Sequence, residues 1–241
     1  MPLVAAAAVA AGAAVQSATG FGFSLVAAPL VFAAIGPEEA IGLLLVLGTQ
    51  VNVMTLATEK RRPRPVARDC AVILAFALPG AVLGVAALRG LDQVVLQIAV
   101  SVGVVATLAA RRFGAGHRMP RWVAPIAGFF AGGLSTSTST TGPPLLVYLL
   151  GRHLEPIQVR DSLTVCFLGL TVVTATALAV TGTSKAVPDA VTVAILIPVV
   201  ALGHVAGRPL FAALARSRRY EPVVTALLVI SVTAGLASAM L

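Results

Sequence analysis

The sequence predicts an all-α polytopic integral membrane protein of two inverted repeats, each a re-entrant or broken-helix hairpin followed by three transmembrane helices. Three observations lead there. Apolar segments of span length fill the chain, positive charge is confined to short clusters between them, and the order of segments begins again halfway along. The chain is 58% hydrophobic and 11% charged with a mean hydropathy of +0.98, which excludes an ordinary soluble domain. A net charge of +8 could suit nucleic acid. Here, however, the basic residues sit in loops, the pattern of cytoplasmic segments facing anionic lipid. The expected partners are therefore membrane lipid and a small anion, with no nucleic acid. No Lys or Arg precedes the first apolar stretch, so it does not read as a signal peptide. Cys70 and Cys166 are 96 residues apart, which does not match the repeat spacing derived below, and both read as small apolar residues.

Taken in order, residues 2–35 are apolar but interrupted at Ser17-Ala18-Thr19-Gly20-Phe21-Gly22. They are too many for one span of roughly 20 residues and too few for two, so two half-helices meeting at a Gly-containing tip are expected. Residues 40–58 form a span carrying Gln50 and Asn52, amides suited to bonding across helices, and 59–69 form a basic loop. Residues 70–88 form a span with Pro79 inside, and 94–110 another, followed by a basic loop at 111–121. The order then repeats: 122–150 interrupted, spans at 157–180 and 189–207 (Pro198 inside), basic residues at 216–219, and a last span at 222–241. Proline within a span frees a carbonyl, so bends are expected at Pro79 and Pro198.

The halves align as repeats over 1–115 and 116–241. Pro29-Leu30-Val31 matches Pro144-Leu145-Leu146 at an offset of 115, and Pro79-x4-Gly84-x4-Arg89 matches Pro198-x4-Gly203-x4-Arg208 at 119. Loop charge orients them. Four full spans per half would split the 17 Lys and Arg ten against seven, whereas re-entrant hairpins place fifteen on one face and only Arg89 and Lys185 opposite. The positive-inside rule selects the second arrangement. Three spans per half then invert the second repeat and put both chain ends outside the cytoplasm, the architecture of secondary transporters.

The longest uncharged polar run is Gly132-Gly133-Leu134-Ser135-Thr136-Ser137-Thr138-Ser139-Thr140-Thr141-Gly142-Pro143-Pro144. Glycine and paired prolines are expected to stop the helix there, and broken backbone at membrane depth must be buried in protein or line a wet cavity. Hydroxyls and free N–H groups at the positive end of a half-helix suit a dehydrated anion. The rival reading is a Ser/Thr/Gly surface for close helix packing. Candidate substrate contacts are Thr19, Gly20, Gly22 and Ser24 in the first half, Asn52 in the following span, and Ser135, Thr136, Ser137, Thr138, Thr140, Thr141 and Gly142 in the second. A start at Pro29 would move the first set by a turn or two. His204, one turn before Arg208, fits a proton relay or a hydrogen-bonded interfacial histidine. Arg89 and Arg208 fit gates at the two mouths, or snorkelling to headgroups.

Two short patterns, Ala18-Thr19-Gly20-Phe21-Gly22 through Pro29-Leu30 and Gly128 through Pro144-Leu145-Leu146, are followed by a basic loop and a Pro-x4-Gly span. Together they resemble the sulfite exporter TauE/SafE family of integral membrane transporters over nearly the whole chain. Ser and Thr stand in the second half where many members have Gly. The resemblance implies a bacterial inner-membrane carrier of sulfite, sulfonates or related organosulfur anions, not an enzyme, with no organic cofactor. No metal site is expected, and a homodimer and proton coupling are both compatible with it. Two other classes remain. One is a passive anion channel. The other is an intramembrane hydrolase using Ser135 and His204, although Gly133-Leu134-Ser135-Thr136 lacks the second Gly of a nucleophile turn.

Overall fold

The computed structural model describes residues 3–35, 37–59, 61–90, 118–139, 141–181, 188–217, 219–220 and 222–226. The expected span at 94–110, most of the last span, Thr140, Lys185 and the side chains of Arg89 and Thr138 lie outside the described residues.

Every regular element described is helical: α1 (Leu3–Thr19), α2 (Phe23–Ile35), α3 (Pro37–Thr58), α4 (Ala67–Gly90), a 3-10 turn (Arg121–Val123), α5 (Ala124–Thr138), α6 (Gly142–Gly151), α7 (Pro156–Val180) and α8 (Ala190–Arg216). Within α3, α4, α7 and α8, the stretches Glu39–Thr58, Ala67–Ala87, Pro156–Val180 and Ala190–Arg216 are long and apolar enough to cross a membrane. Pro37 and Pro156 open α3 and α7, the helix position where a missing N–H costs least. The Asp189 carboxylate caps α8, accepting from the Thr192 N–H at 2.8 Å. Large apolar side chains face outward, Leu202 at 72% and Val172 at 65% exposure, while Gln16, Ser17, Asn52, Ser135, Thr136, Thr174 and His204 are buried. Apolar groups outside and polar groups inside suit a hydrocarbon surround.

One boundary decides between the two starts offered for the first half-helix, and two differ from expectation. α2 begins at Phe23, which excludes a start at Pro29. The Ser/Thr run is mostly helical: α5 continues through Gly132 and Gly133 to Thr138, and α6 opens at Gly142. Its hydroxyls explain this, since Ser137 donates to Gly133 O at 2.8 Å and Thr136 to Gly132 O at 3.3 Å, bonding back along the helix where no water competes. Finally, α8 runs past Gly207 and through Pro209 to Arg216, so Arg208 and Arg216 stand on helix rather than loop.

The helices pack as two sub-bundles that exchange a member. One apolar core joins α1, α2, α3 and α8, with Val9, Phe23, Leu47 and Val200 at its centre. The other joins α4, α5, α6 and α7, with Ile73, Ala131, Leu145 and Leu163. α4 lies against α5, and α1 against α8, at backbone contact. A Cβ on Gly80 would stand 2.8 Å from the Phe129 carbonyl carbon, one on Gly132 2.8 Å from that of Ala77, and one on Gly207 2.9 Å from that of Ala14. Small-xxx-small spacing permits such approach. Cys70 and Cys166 are buried free thiols in the second core.

Candidate functional site

Both helix breaks end at a cavity between the sub-bundles. The first turns at Gly20 (φ +88°) and Gly22 (φ +104°), conformations glycine adopts readily. Gln16 braces it from α1: its Nε2 donates to Asn52 Oδ1 at 2.8 Å, and its Oε1 accepts from the Phe23 N–H at 3.1 Å. The second turns at Ser139, also left-handed at φ +54°, and is braced by the bond between the Ser135 and Thr174 hydroxyls. Between the breaks, Thr49 of α3 and Thr171 of α7 share a hydrogen bond of 3.1 Å.

The cavity encloses about 60 Å³ and is lined by Gln16, Gly22, Ser24, Thr49, Asn52, Ser135, Ser139, Thr141, Gly142 and Thr171, with Phe23, Leu44, Phe167 and Leu170 among its apolar walls. That is room for a few waters or one compact anion. Among the described residues, no charged side chain lines it. Ser24 and Leu25 follow Phe23 in the first turn of α2, where N–H groups have no carbonyl one turn back, and both face the cavity. In α6 the second and third positions are Pro143 and Pro144, which carry no N–H. Its lining groups are instead Gly142 and the hydroxyl residues Ser139 and Thr141. Ser139 Oγ is buried with no hydrogen-bond partner among the described residues.

Six of the expected contacts therefore line one cavity: Gly22, Ser24, Asn52, Ser135, Thr141 and Gly142. Four others do not. Thr19 folds its hydroxyl onto Val15 O and Phe21 O at 2.8 Å each. Gly20 packs against Arg160, whose Cγ would be 2.9 Å from a Cβ there. Thr136 bonds Ala81 O at 3.1 Å on α4, and Ser137 bonds its own helix. Gln50 donates to Ile197 O at 2.8 Å and ties α3 to α8. Sequence reasoning missed Gln16, Thr49 and Thr171, whereas Ser139 belongs to the hydroxyl run expected beside the site. Gln16 was signalled by being the one amide in an otherwise apolar alanine-rich helix.

His204 is fully buried away from Ser135. Its Nδ1 pairs with Ser17 Oγ at 2.7 Å and its Nε2 with Thr58 Oγ1 at 3.2 Å, so the expected alternative of a Ser135–His204 dyad is not formed. Arg208 donates to Thr58 O at 3.0 Å. These lead to a charged end of the bundle. Buried Arg160 donates to Glu59 at 2.6 Å and to Ser17 O at 3.2 Å, and lies over Phe211. Arg61 grips Asp161 with two nitrogens at 2.7 and 2.9 Å, and this bond raises its pKa further, fixing its charge. Nearby, buried Asp69 accepts from Tyr148 Oη at 2.8 Å and from Arg152 Nε at 3.1 Å. The Met119 N–H donates to Gly151 O at 2.8 Å, joining the two ends of the α5–α6 hairpin.

Among comparisons with known proteins, no curated protein and no solved structure matches the chain. The family model described as Sulfite exporter TauE/SafE matches residues 4–235 of the 241. With that span matched and apolar helices of membrane length around a buried polar centre, the chain belongs to the sulfite exporter TauE/SafE family of membrane transporters.

Proposed function

We propose that the chain is a secondary transporter that moves a small organosulfur anion, sulfite or a sulfonate, across the bacterial inner membrane. The anion binds between the two helix breaks. The observation that carries this reading is the uncharged cavity of about 60 Å³, with neutral donors converging from the starts of α2 and α6. Each neutral hydrogen bond contributes a net of about 0.5–1.5 kcal/mol, so several together hold an anion without trapping it.

Reciprocal pairing supports an inverted repeat as the moving frame. Gln16–Asn52 in the first half corresponds to Ser135–Thr174 in the second, and Thr49 and Thr171, equivalent residues, meet each other. Gly80 and Gly84 of α4 correspond to Gly203 and Gly207 of α8, an offset of 123. This lies one helical turn from the 119 of Pro79 and Pro198. α4 and α5 run parallel, with Ile73 by Gly128 and Ala77 by Gly132. So do α1 and α8, with Ala10 by Gly203 and Ala14 by Gly207. α3 and α8 end together, where Thr58 meets Arg208, and α4 starts from that end. The two hairpins thus run in opposite directions, one from each face. The basic residues around Asp69, Asp161 and Glu59 would be the cytoplasmic end. His204, joined to Ser17 and Thr58 between that end and the cavity, would carry coupling protons.

Proteoliposomes loaded with sulfite should take up labelled sulfite by saturable counterflow, and His204→Gln should retain counterflow while losing accumulation driven by a pH gradient. Flux that neither saturates nor responds to trans substrate would make the protein a passive channel and sink the carrier reading.

A further inference from the structure

A second cavity, of about 610 Å³, lies at the charged end and is built unlike the first. Its lining carries Arg61, Arg160, Arg208 and Arg216, with Glu59 the one carboxylate among the described lining residues. Glu59 pairs with Arg160 and Asp161 with Arg61, so the positive charge left without an ion pair among the described residues is that of Arg208 and Arg216. Arg208 and Arg216 stand exposed, two turns apart on α8. Arg160 is buried, and its Nε has no hydrogen-bond partner among the described residues. The apolar part of the wall comes from α7 and α8, with Ile157, Val205 and Phe211. Val205 is 61% exposed and the neighbouring Leu210 54%, so this wall continues onto the outward face that meets hydrocarbon.

A free oxyanion needs the arginines and gains nothing from the apolar lining. A lipid needs both. We propose that this cavity is a headgroup site for an anionic phospholipid, with the phosphodiester among the arginines and an acyl chain along Val205 and Leu210. Guanidinium forks match phosphate oxygens in bidentate geometry, and basic pockets between spanning helices at the membrane surface suit anionic headgroups. The bound phosphate shares Arg160 with Glu59. Arg160 also holds Ser17 O and packs on Gly20, so the lipid stands against the first helix break. The inference rests on the chain spanning a bilayer and not on which anion it carries.

The test is thermal unfolding of the purified full chain in neutral detergent with added phosphatidylglycerol, phosphatidylcholine, inorganic phosphate or sulfite. Phosphatidylglycerol alone should give a saturable stabilisation. Arg208→Gln and Arg216→Gln should each weaken its apparent affinity about fivefold, the factor expected per basic group near an anionic lipid surface. Arg62→Gln, exposed in the loop outside the cavity, should leave it unchanged. Both cavity variants alter exposed helix positions, and native mass spectrometry of retained lipid gives a second readout on folded protein. Equal stabilisation by phosphatidylcholine overturns the proposal, as does a phosphatidylglycerol effect intact in the Arg208→Gln/Arg216→Gln double variant. Stabilisation by phosphate or sulfite that vanishes in the double variant would make the cavity a mouth for free anions instead.

Discussion

Adjacent glycines on α5 offer a sharp test of how the second hairpin is held. A Cβ on Gly132 would stand 2.8 Å from both the carbonyl carbon and the Cα of Ala77, and also against the Ala77 carbonyl oxygen. Carbon atoms rest at about 3.5–4.0 Å, so α4 and α5 must part by roughly 0.7 Å or more. On Gly133 the nearest atom is Gly80 O at 3.4 Å, an ordinary contact. Both substitutions to alanine gain about 1 kcal/mol of helix propensity. Only Gly132→Ala adds the overpacking cost of about 1–3 kcal/mol, and the separation is shared along the seam by Gly80, Gly84 and Gly128. Gly133→Ala should therefore be as stable as the parent or slightly more so, and Gly132→Ala should fall about 1–3 kcal/mol below Gly133→Ala. Reversible unfolding in mixed micelles with increasing dodecyl sulfate would measure the gap. Equal stability of the two variants would refute backbone contact between α4 and α5.

Three further outcomes follow from the side-chain contacts. Ser139→Ala should leave stability unchanged, because its hydroxyl has no partner among the described residues. Sulfite affinity should nevertheless weaken by up to tenfold, since 1.4 kcal/mol is tenfold; Ser137→Ala, bonded to its own helix, should leave affinity alone. Asp69→Asn should destabilise by about 3–5 kcal/mol in thermal unfolding, because it leaves buried Arg152 without its carboxylate. The Asp189 carboxylate is held below its ordinary range by the Thr192 backbone N–H. Its capping contribution is therefore present above the unfolded-state carboxylate pKa and lost as pH falls through the lower folded value. Hydrogen exchange at the start of α8 should rise in acid, and Asp189→Asn should remove that pH dependence.

Spans and breaks were legible because hydrocarbon permits few backbone solutions: an apolar run of span length is a helix, and Gly-Phe-Gly between half-length runs is a turn. The extent of the second break was not legible. Serine and threonine read as helix-breaking in water, yet in a buried helix Thr136 and Ser137 satisfy themselves on carbonyls one turn back. The site was legible only as far as the breaks point to it. Thr49 and Thr171 are ordinary residues of apolar spans, and only their meeting across the sub-bundles gives them a role. Asp69, read as part of the loop at 59–69, stands instead in the first turn of α4. The start of that helix carries it inward to Tyr148 and Arg152, and no local pattern announces partners 79 and 83 residues away.

If the chain is the anion carrier proposed above, the placement of charge bears directly on turnover. A guanidinium in the cavity would hold an anion through direct charge attraction at low dielectric, far stronger than any neutral hydrogen bond, and release would slow accordingly. Here the described arginines around Glu59, Asp69 and Asp161 gather at one end of the bundle, where those carboxylates offset their charge. Among the described residues, the centre is lined by dipoles without a charged side chain. The two breaks do not contribute equally to that centre. α2 offers the N–H groups of Ser24 and Leu25, whereas Pro143 and Pro144 strip the corresponding donors from α6 and leave the hydroxyl residues Ser139 and Thr141 in their place. Backbone donors are fixed in direction and hydroxyls rotate, so the first break supplies a rigid half of the site and the second an adaptable one. Substitutions that select among anions should therefore concentrate at Ser139 and Thr141, while changes at Gly22 or Ser24 should weaken every anion together. Counterflow of sulfite against a larger sulfonate, measured across single variants at these four positions, separates the two halves.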